Sequence, residues 1–308
     1  MLVVPVAVDA GLGELARSGY LITKELGLNF RLACVTTDLP MTLDKPTDLG
    51  VQDFCQKCLK CAETCPAGVI KTGMSHEVEK PTYEVVGPLE RFDERDNLFA
   101  RERLIVGSPE ERAYHALHPE LVEVDRRLTA FIEGKADVQP QDEDWMGAAF
   151  YSATFGPVAA LAQPDMVDGP VSPQKVGGEP AEIARQVKKL ARYLGADLVR
   201  IGPLNPAWVY SHRGCPPFFE GYRANPPLFD GIPDGYRDLK WGAPIEIPHR
   251  YAISMAFAQD DRLMRTTPSP VSDLEVGQVY ARSALASVQL ARYIRALGYP
   301  ARAHHLRN

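Results

Sequence analysis

Residues 53–70 read DFCQKCLKCAETCPAGVI. Four cysteines fall within eleven positions, Cys55, Cys58, Cys61 and Cys65, and Pro66 follows the last. The C-x2-C-x2-C-x3-C-P spacing is that of thiolates around an iron–sulfur cubane. Soft thiolate donors suit iron, and these intervals let a short loop wrap one corner of a cluster. Zinc sites more often pair two cysteines in one hairpin with two distant ligands, so this run favours iron. The reading predicts one-electron chemistry, with the rest of the chain using the electrons.

Working outward, residues 2–8, LVVPVAV, read as a buried strand interrupted by Pro5. Residues 9–30 hold Gly11, Gly13, Gly19 and Gly27, which suggests tight turns or backbone close to a ligand. Residues 31–37 read as a second strand and 71–100 as a linker or join. Leu121, Val124, Leu128 and Ile132 give a helical period over 119–133, and an exposed acidic loop follows at 134–145. No period runs through 151–178. Ile183, Val187, Leu190 and Leu194 mark a helix stopped by Gly195, and DLVRI at 197–201 follows as a strand. Residues 203–247 are irregular and rich in Pro, Gly and aromatics. YAISMAFA at 251–258 reads as a buried strand. Ser272 and Glu275 form an expected capping box for a long helix ending at Leu297 and Gly298, and YPARAHHLRN begins as a short strand.

The 308 residues carry 45% apolar and 24% charged residues and a net charge of −6. No basic stripe is present, so no nucleic-acid partner is expected. No apolar run is long enough to span a membrane, and the start of the sequence has no basic signal region. A cytoplasmic location is the default expectation. Only Cys34 and Cys215 lie outside the cysteine run, so no disulfide framework is expected. Cys34, in RLACVTT, reads as a core cysteine, and Cys215 as structural or surface. GLGELA lacks the third glycine of a dinucleotide loop. His304 and His305 are adjacent on a strand, which points them to opposite faces and argues against joint metal ligation.

Six segments resemble reductive dehalogenases, the corrinoid and iron–sulfur enzymes of organohalide reduction. They are LERFDERDNLFAR (89–101), KKLARYLGADLVRIGPLNPAWVYSHRG (188–214), IPHRYAISMAF (247–257), QVYARSALASVQLARYIRALGYPARAH (278–304), VDAGLGELARSGYLITKELGLNFRLACVTTDLP (8–40) and the cysteine segment (53–70). Their order is rotated: residues 89–308 followed by 1–70 restore the family's order. The family's second cysteine run, which would follow residue 70, is missing. In two-cluster modules the fourth cysteine of such a run serves the other cluster, so one cluster or two is left open.

The resemblance implies an α+β fold: a nitroreductase-like cobalamin-binding domain, a mixed sheet flanked by helices, with a small ferredoxin-like iron–sulfur segment. Residues 1–48 and 73–308 would form the cobalamin-binding core and 49–72 the iron–sulfur segment. It implies a cobalamin without a lower protein ligand, one or two [4Fe-4S] clusters held by Cys55, Cys58, Cys61 and Cys65, a small organohalide substrate, and an external ferredoxin or reductase as electron donor. The family donates a proton from a tyrosine beside a basic residue; a phenol keeps its proton at neutral pH, with an ordinary pKa of about 10. Tyr280 is the matching candidate. Arg31, 59 positions on in rotated order (28 to Asn308, then 31), is the candidate cation, and Asn308 the pocket amide. Gly11, Gly13, Thr37, Leu39, Trp208 and Tyr210 are the candidate corrin contacts, with His212 a runner-up for cobalt. The other readings are a non-catalytic corrinoid-binding or electron-transfer relative with an incomplete cluster module, and epoxyqueuosine reductase. The tRNA substrate of the latter fits an acidic chain poorly, and the matching segments are not read as its own.

Overall fold

The structure is a computed structural model that describes residues 1–63, 87–101, 104–136, 145–214 and 241–306. Cys65, Cys215 and Asn308 lie outside the described residues, as do parts of the expected linker, acidic loop and irregular stretch.

Four apolar stretches pair as one sheet. Strands β3 (Phe30–Thr37), β4 (Leu198–Pro203), β5 (Tyr251–Ala258) and β6 (Ala301–His304) take the order β4-β5-β3-β6. A separate two-residue ladder joins β1 (Glu14–Leu15) to β2 (Leu21–Ile22). A sheet of mixed direction is expected, whereas among the described residues all three pairings of the larger sheet are antiparallel. The α+β class stands.

Side chains alternate across the sheet, as the pleat requires. On β5, Ile253, Met255 and Phe257 enter one core with Ala33 and Val35 of β3. The long helix α11 (Pro270–Ala296) and the amphipathic helix α9 (Pro180–Tyr193) cover that face. Ala252, Ala256 and Cys34 face the other way, against α1 (Val3–Asp9) and the turn Pro206–Trp208. Burying Phe257, at 0% exposure, removes a large apolar surface from water and contributes about 2–3 kcal/mol. Cys34 is a core cysteine at 1% exposure, and burial raises its thiol pKa to about 12.

Residues 3–9 are helical, which corrects the strand expected over 2–8. Pro5 falls in the first turn, where a missing N–H costs nothing. Val6, Ala7 and Val8 are then buried against β3, β4 and β5. Packing on the sheet overrides the β preference of the valines. Helix α7 (Trp145–Leu161) is a second difference, since it runs into the stretch without a readable period. It lies along α11, where Gly277 permits the approach: a Cβ there would come within 2.4 Å of Thr154 Oγ1.

The capping box is also corrected. Ser269 is the N-cap, reciprocated by Ser272, with Pro270 in the first turn. Glu275 instead accepts the Asp260 N–H at 2.7 Å. Gly298 ends α11 as read, with φ at 86°. The described part of the cysteine segment, through residue 63, is helical, in α2 (Val51–Cys58) and α3 (Lys60–Glu63), rather than a loop.

Arg295 is buried on α11, 4% exposed, and clips α8 (Pro164–Val167) to the sheet. It donates to the carbonyls of Met166 and Val167 at 3.1 Å each and of Ala301 at 2.8 Å. No helix among the described residues is long and apolar enough to cross a membrane.

Candidate functional site

Odd-numbered residues of β3 face α11, which carries Arg31 toward that helix. The Arg31 guanidinium carbon lies 5.4 Å from the ring centroid of Tyr280, on α11. Phe155 of α7 flanks the same ring at 6.1 Å between centroids, tilted by 49°. The Nε of Arg31 is buried with no hydrogen-bond partner among the described residues. A guanidinium over an aromatic face is held by the ring quadrupole. A buried donor left without an acceptor marks a place for another group. The pair thus joins a phenol and a cation that stand far apart in sequence.

The candidate corrin contacts are engaged within the fold. A Cβ on Gly11 would lie 1.9 Å from the Lys45 carbonyl oxygen, and one on Gly13 would lie 2.2 Å from that of Ile22. The close approach that these glycines permit is therefore to the chain's own backbone. The Thr37 hydroxyl donates to the Pro300 carbonyl at 2.7 Å and accepts the Leu39 N–H at 3.0 Å. Leu39 is wholly buried in the α11-side core. Trp208 donates its indole N–H to Asp9 at 2.7 Å and is 8% exposed.

Tyr210 lines a recess of about 20 Å³ with Met1, Glu94, Arg213, Arg302 and His304, room for one water. This recess and Trp208 lie on the α1 side of the sheet, whereas Tyr280 and Arg31 lie on the α11 side. Arg91 holds the segment carrying Tyr210 by donating to the carbonyls of Val209, Tyr210 and Ile245. His212 Nδ1 stands 3.1 Å from Asp93. A larger cavity of about 290 Å³ lies in the helical region, where Arg101, His115 and Asp125 line it together with both apolar and further charged residues. There Asp125 is already paired with Arg101 and with His115. Sequence reasoning missed this network, because nothing in the spacing of these three residues signals convergence.

On the α1 side Thr36 Oγ1 stands 2.8 Å from His249 Nδ1 and 3.0 Å from His304 Nε2. A hydroxyl carries one proton, so it donates to one imidazole and accepts from the other. Burial lowers the pKa of His249 and lowers that of His304 well below its ordinary value. Burial also pushes His305 down to about 4. His304 Nε2 is thus engaged by Thr36.

Cys55 and Cys58 sit one turn apart on α2, and Leu59, with φ at 51°, turns the chain before Cys61. Cys55 and Cys58 are half-buried and Cys61 exposed, and none of the three is in a disulfide. Among the described residues no three His, Cys, Asp or Glu side chains converge as a metal cage. The donors are right in kind and spacing for iron, and two of them share a helix face. For a corrin the described residues do not fit: its candidate contacts are spent on packing and lie on both sides of the sheet.

The chain resembles reductases over part of its length. No protein-family model matches it. The relatives divide into two kinds. The tetrachloroethene reductive dehalogenase of Dehalobacter restrictus is 49% identical over 80 residues, 26% of this chain and 14% of that protein. That of Sulfurospirillum multivorans is 51% identical over 67 residues, 22% of this chain and 13% of that protein. The epoxyqueuosine reductase of Cyclobacterium marinum is 39% identical over 64 residues, 21% of this chain and 20% of that protein. The match thus spans about a seventh of the length of the two dehalogenases. The likeness to epoxyqueuosine reductase corrects the expectation that no matching segment is its own.

Proposed function

We propose that the chain is a reductive-dehalogenase-like oxidoreductase unit acting on a small organohalide. The observation that carries this reading is the Arg31–Tyr280 contact at 5.4 Å. The dehalogenase resemblance, read in rotated order, pairs these two residues.

The net reaction takes two electrons and one proton: the carbon–halogen bond breaks, a carbon–hydrogen bond forms, and halide leaves. Tyr280 Oη holds the proton and gives it to carbon as the electron pair arrives there. The Arg31 cation stabilises the phenolate left behind, and solvent returns the proton. Phe155 packs on Tyr280 and screens the ring from water on that side. Cys55, Cys58 and Cys61, with Cys65, would hold the iron–sulfur cluster, which supplies electrons singly from an external ferredoxin or reductase. The nitroreductase-like and ferredoxin-like parts, with boundaries near residues 48 and 72, belong to the same reading. The corrinoid implied by the resemblance remains part of it as a group for which the described residues form no seat.

The test is anaerobic incubation of the chain, loaded with iron, sulfide and cobalamin, with a low-potential reductant and tetrachloroethene. The expected result is chloride release beyond one ion per chain. A chain that takes up iron, is reduced and releases no chloride is instead an electron-transfer relative. That second reading is favoured by one observation, the engagement of the corrin candidates in packing.

A further inference from the structure

Glu14, on β1, is 1% exposed. Its carboxylate crosses to a segment 35 or more positions away. Oε2 accepts the N–H groups of Leu49 at 2.8 Å and Val51 at 3.1 Å, and Oε1 accepts that of Gln52 at 3.3 Å. These donors flank the start of α2, where helix N–H groups have no partner inside the helix. The N-cap of α2 is Gly50, which has no side chain to cap with. Glu14 therefore does from outside what an N-cap side chain does locally. Gln52 returns a hydrogen bond to the Leu15 carbonyl, so the hairpin and the helix are tied twice. Cys55 and Cys58 follow on the same helix.

A carboxylate at a helix N-terminus also offsets the positive end of the dipole. The field reaching the thiols on α2 is then set by both the helix and Glu14. We infer that Glu14 is a positioning residue for the thiolate-held cluster: it fixes how α2 enters and places a negative charge behind its first turn. This rests on the reading that Cys55, Cys58 and Cys61 ligate iron. Added negative charge near a cluster lowers its reduction potential.

Two variants of the full chain separate reach from charge. Glu14→Gln keeps the shape and removes the charge, while Glu14→Asp keeps the charge and shortens the reach. In both, amide exchange at Leu49, Val51 and Gln52 should speed up about tenfold, with β5 amides unchanged. After anaerobic loading with iron and sulfide, Glu14→Gln should show a more positive midpoint potential than the native chain, and Glu14→Asp a smaller change. Unchanged exchange, or native and Glu14→Gln proteins with equal iron and equal potential, overturns the role of Glu14 alone. A native chain that takes up no iron overturns the cluster reading, and the positioning role falls with it.

Discussion

Tyr280→Phe is expected to lower the proposed halide release by about 10²- to 10⁴-fold, the range that a positioned general acid contributes. The substitution is a clean probe because of what surrounds the ring. Phenylalanine keeps the face under the Arg31 guanidinium and the tilted contact with Phe155. Only the hydroxyl is lost, so stability should move by less than about 1 kcal/mol. Iron content and thermal unfolding therefore stay at native values while chloride production falls. Arg31→Gln should also slow the reaction, because no cation then balances the phenolate. Chloride release by Tyr280→Phe at the native rate removes the pair from the chemistry and leaves it as packing between β3 and α11.

As pH falls from about 6.5 toward 4, acid weakens the fold through buried imidazoles. His249, His304 and His305 all have folded pKa values lowered first by burial. Asp38 and Asp168 partly oppose this at His249. The unfolded chain binds protons on these rings below about pH 6.5, where the folded chain still refuses them. Stability is thus fully present above about pH 6.5 and is lost as pH falls through the window down to the folded value. For His305 that window ends at about 4, and this one residue withdraws about 3 kcal/mol across it. Urea unfolding at pH 7 and at pH 4.5 measures the loss. His305→Asn should flatten the slope between those values. A midpoint equal at the two pH values contradicts the burial of neutral imidazoles.

The parts of the fold that were legible are those whose pattern was local. YAISMAFA reads as a buried strand because both faces of β5 are covered, one by α9 and α11 and the other by α1. Helix α9 was readable from its apolar stripe and from Gly195, whose φ of 104° only glycine adopts easily. The start of α11 was misplaced by three residues because two serine-led cap patterns overlap there. Pro270 was the signal that decides between them. Helix α7 was not readable, since small and apolar residues around the whole helix leave no period. Strand direction was not readable either. β3 lies between β5 and β6, two strands more than 200 residues away in sequence, and no local pattern fixes that pairing.

The site divides the same way. The candidate iron ligands are legible by spacing alone, while Arg31 and Tyr280 are paired only through the resemblance in rotated order. Gly11 and Gly13 signalled a close backbone approach, and sequence cannot say whether a ligand or the chain itself makes that approach. Glu14 carried no signal, because nothing local shows that it reaches residues 49–52.

The central claim is that the cysteine run holds iron for electron delivery. Anaerobic loading with iron and sulfide, followed by iron analysis and low-temperature electron paramagnetic resonance of the reduced protein, tests it most directly. The account predicts about four irons per cluster, a reduced-cluster signal, and the loss of both in Cys55→Ala and Cys58→Ala chains. A native chain that stays colourless and iron-free, or alanine variants that bind iron as the native chain does, contradicts it.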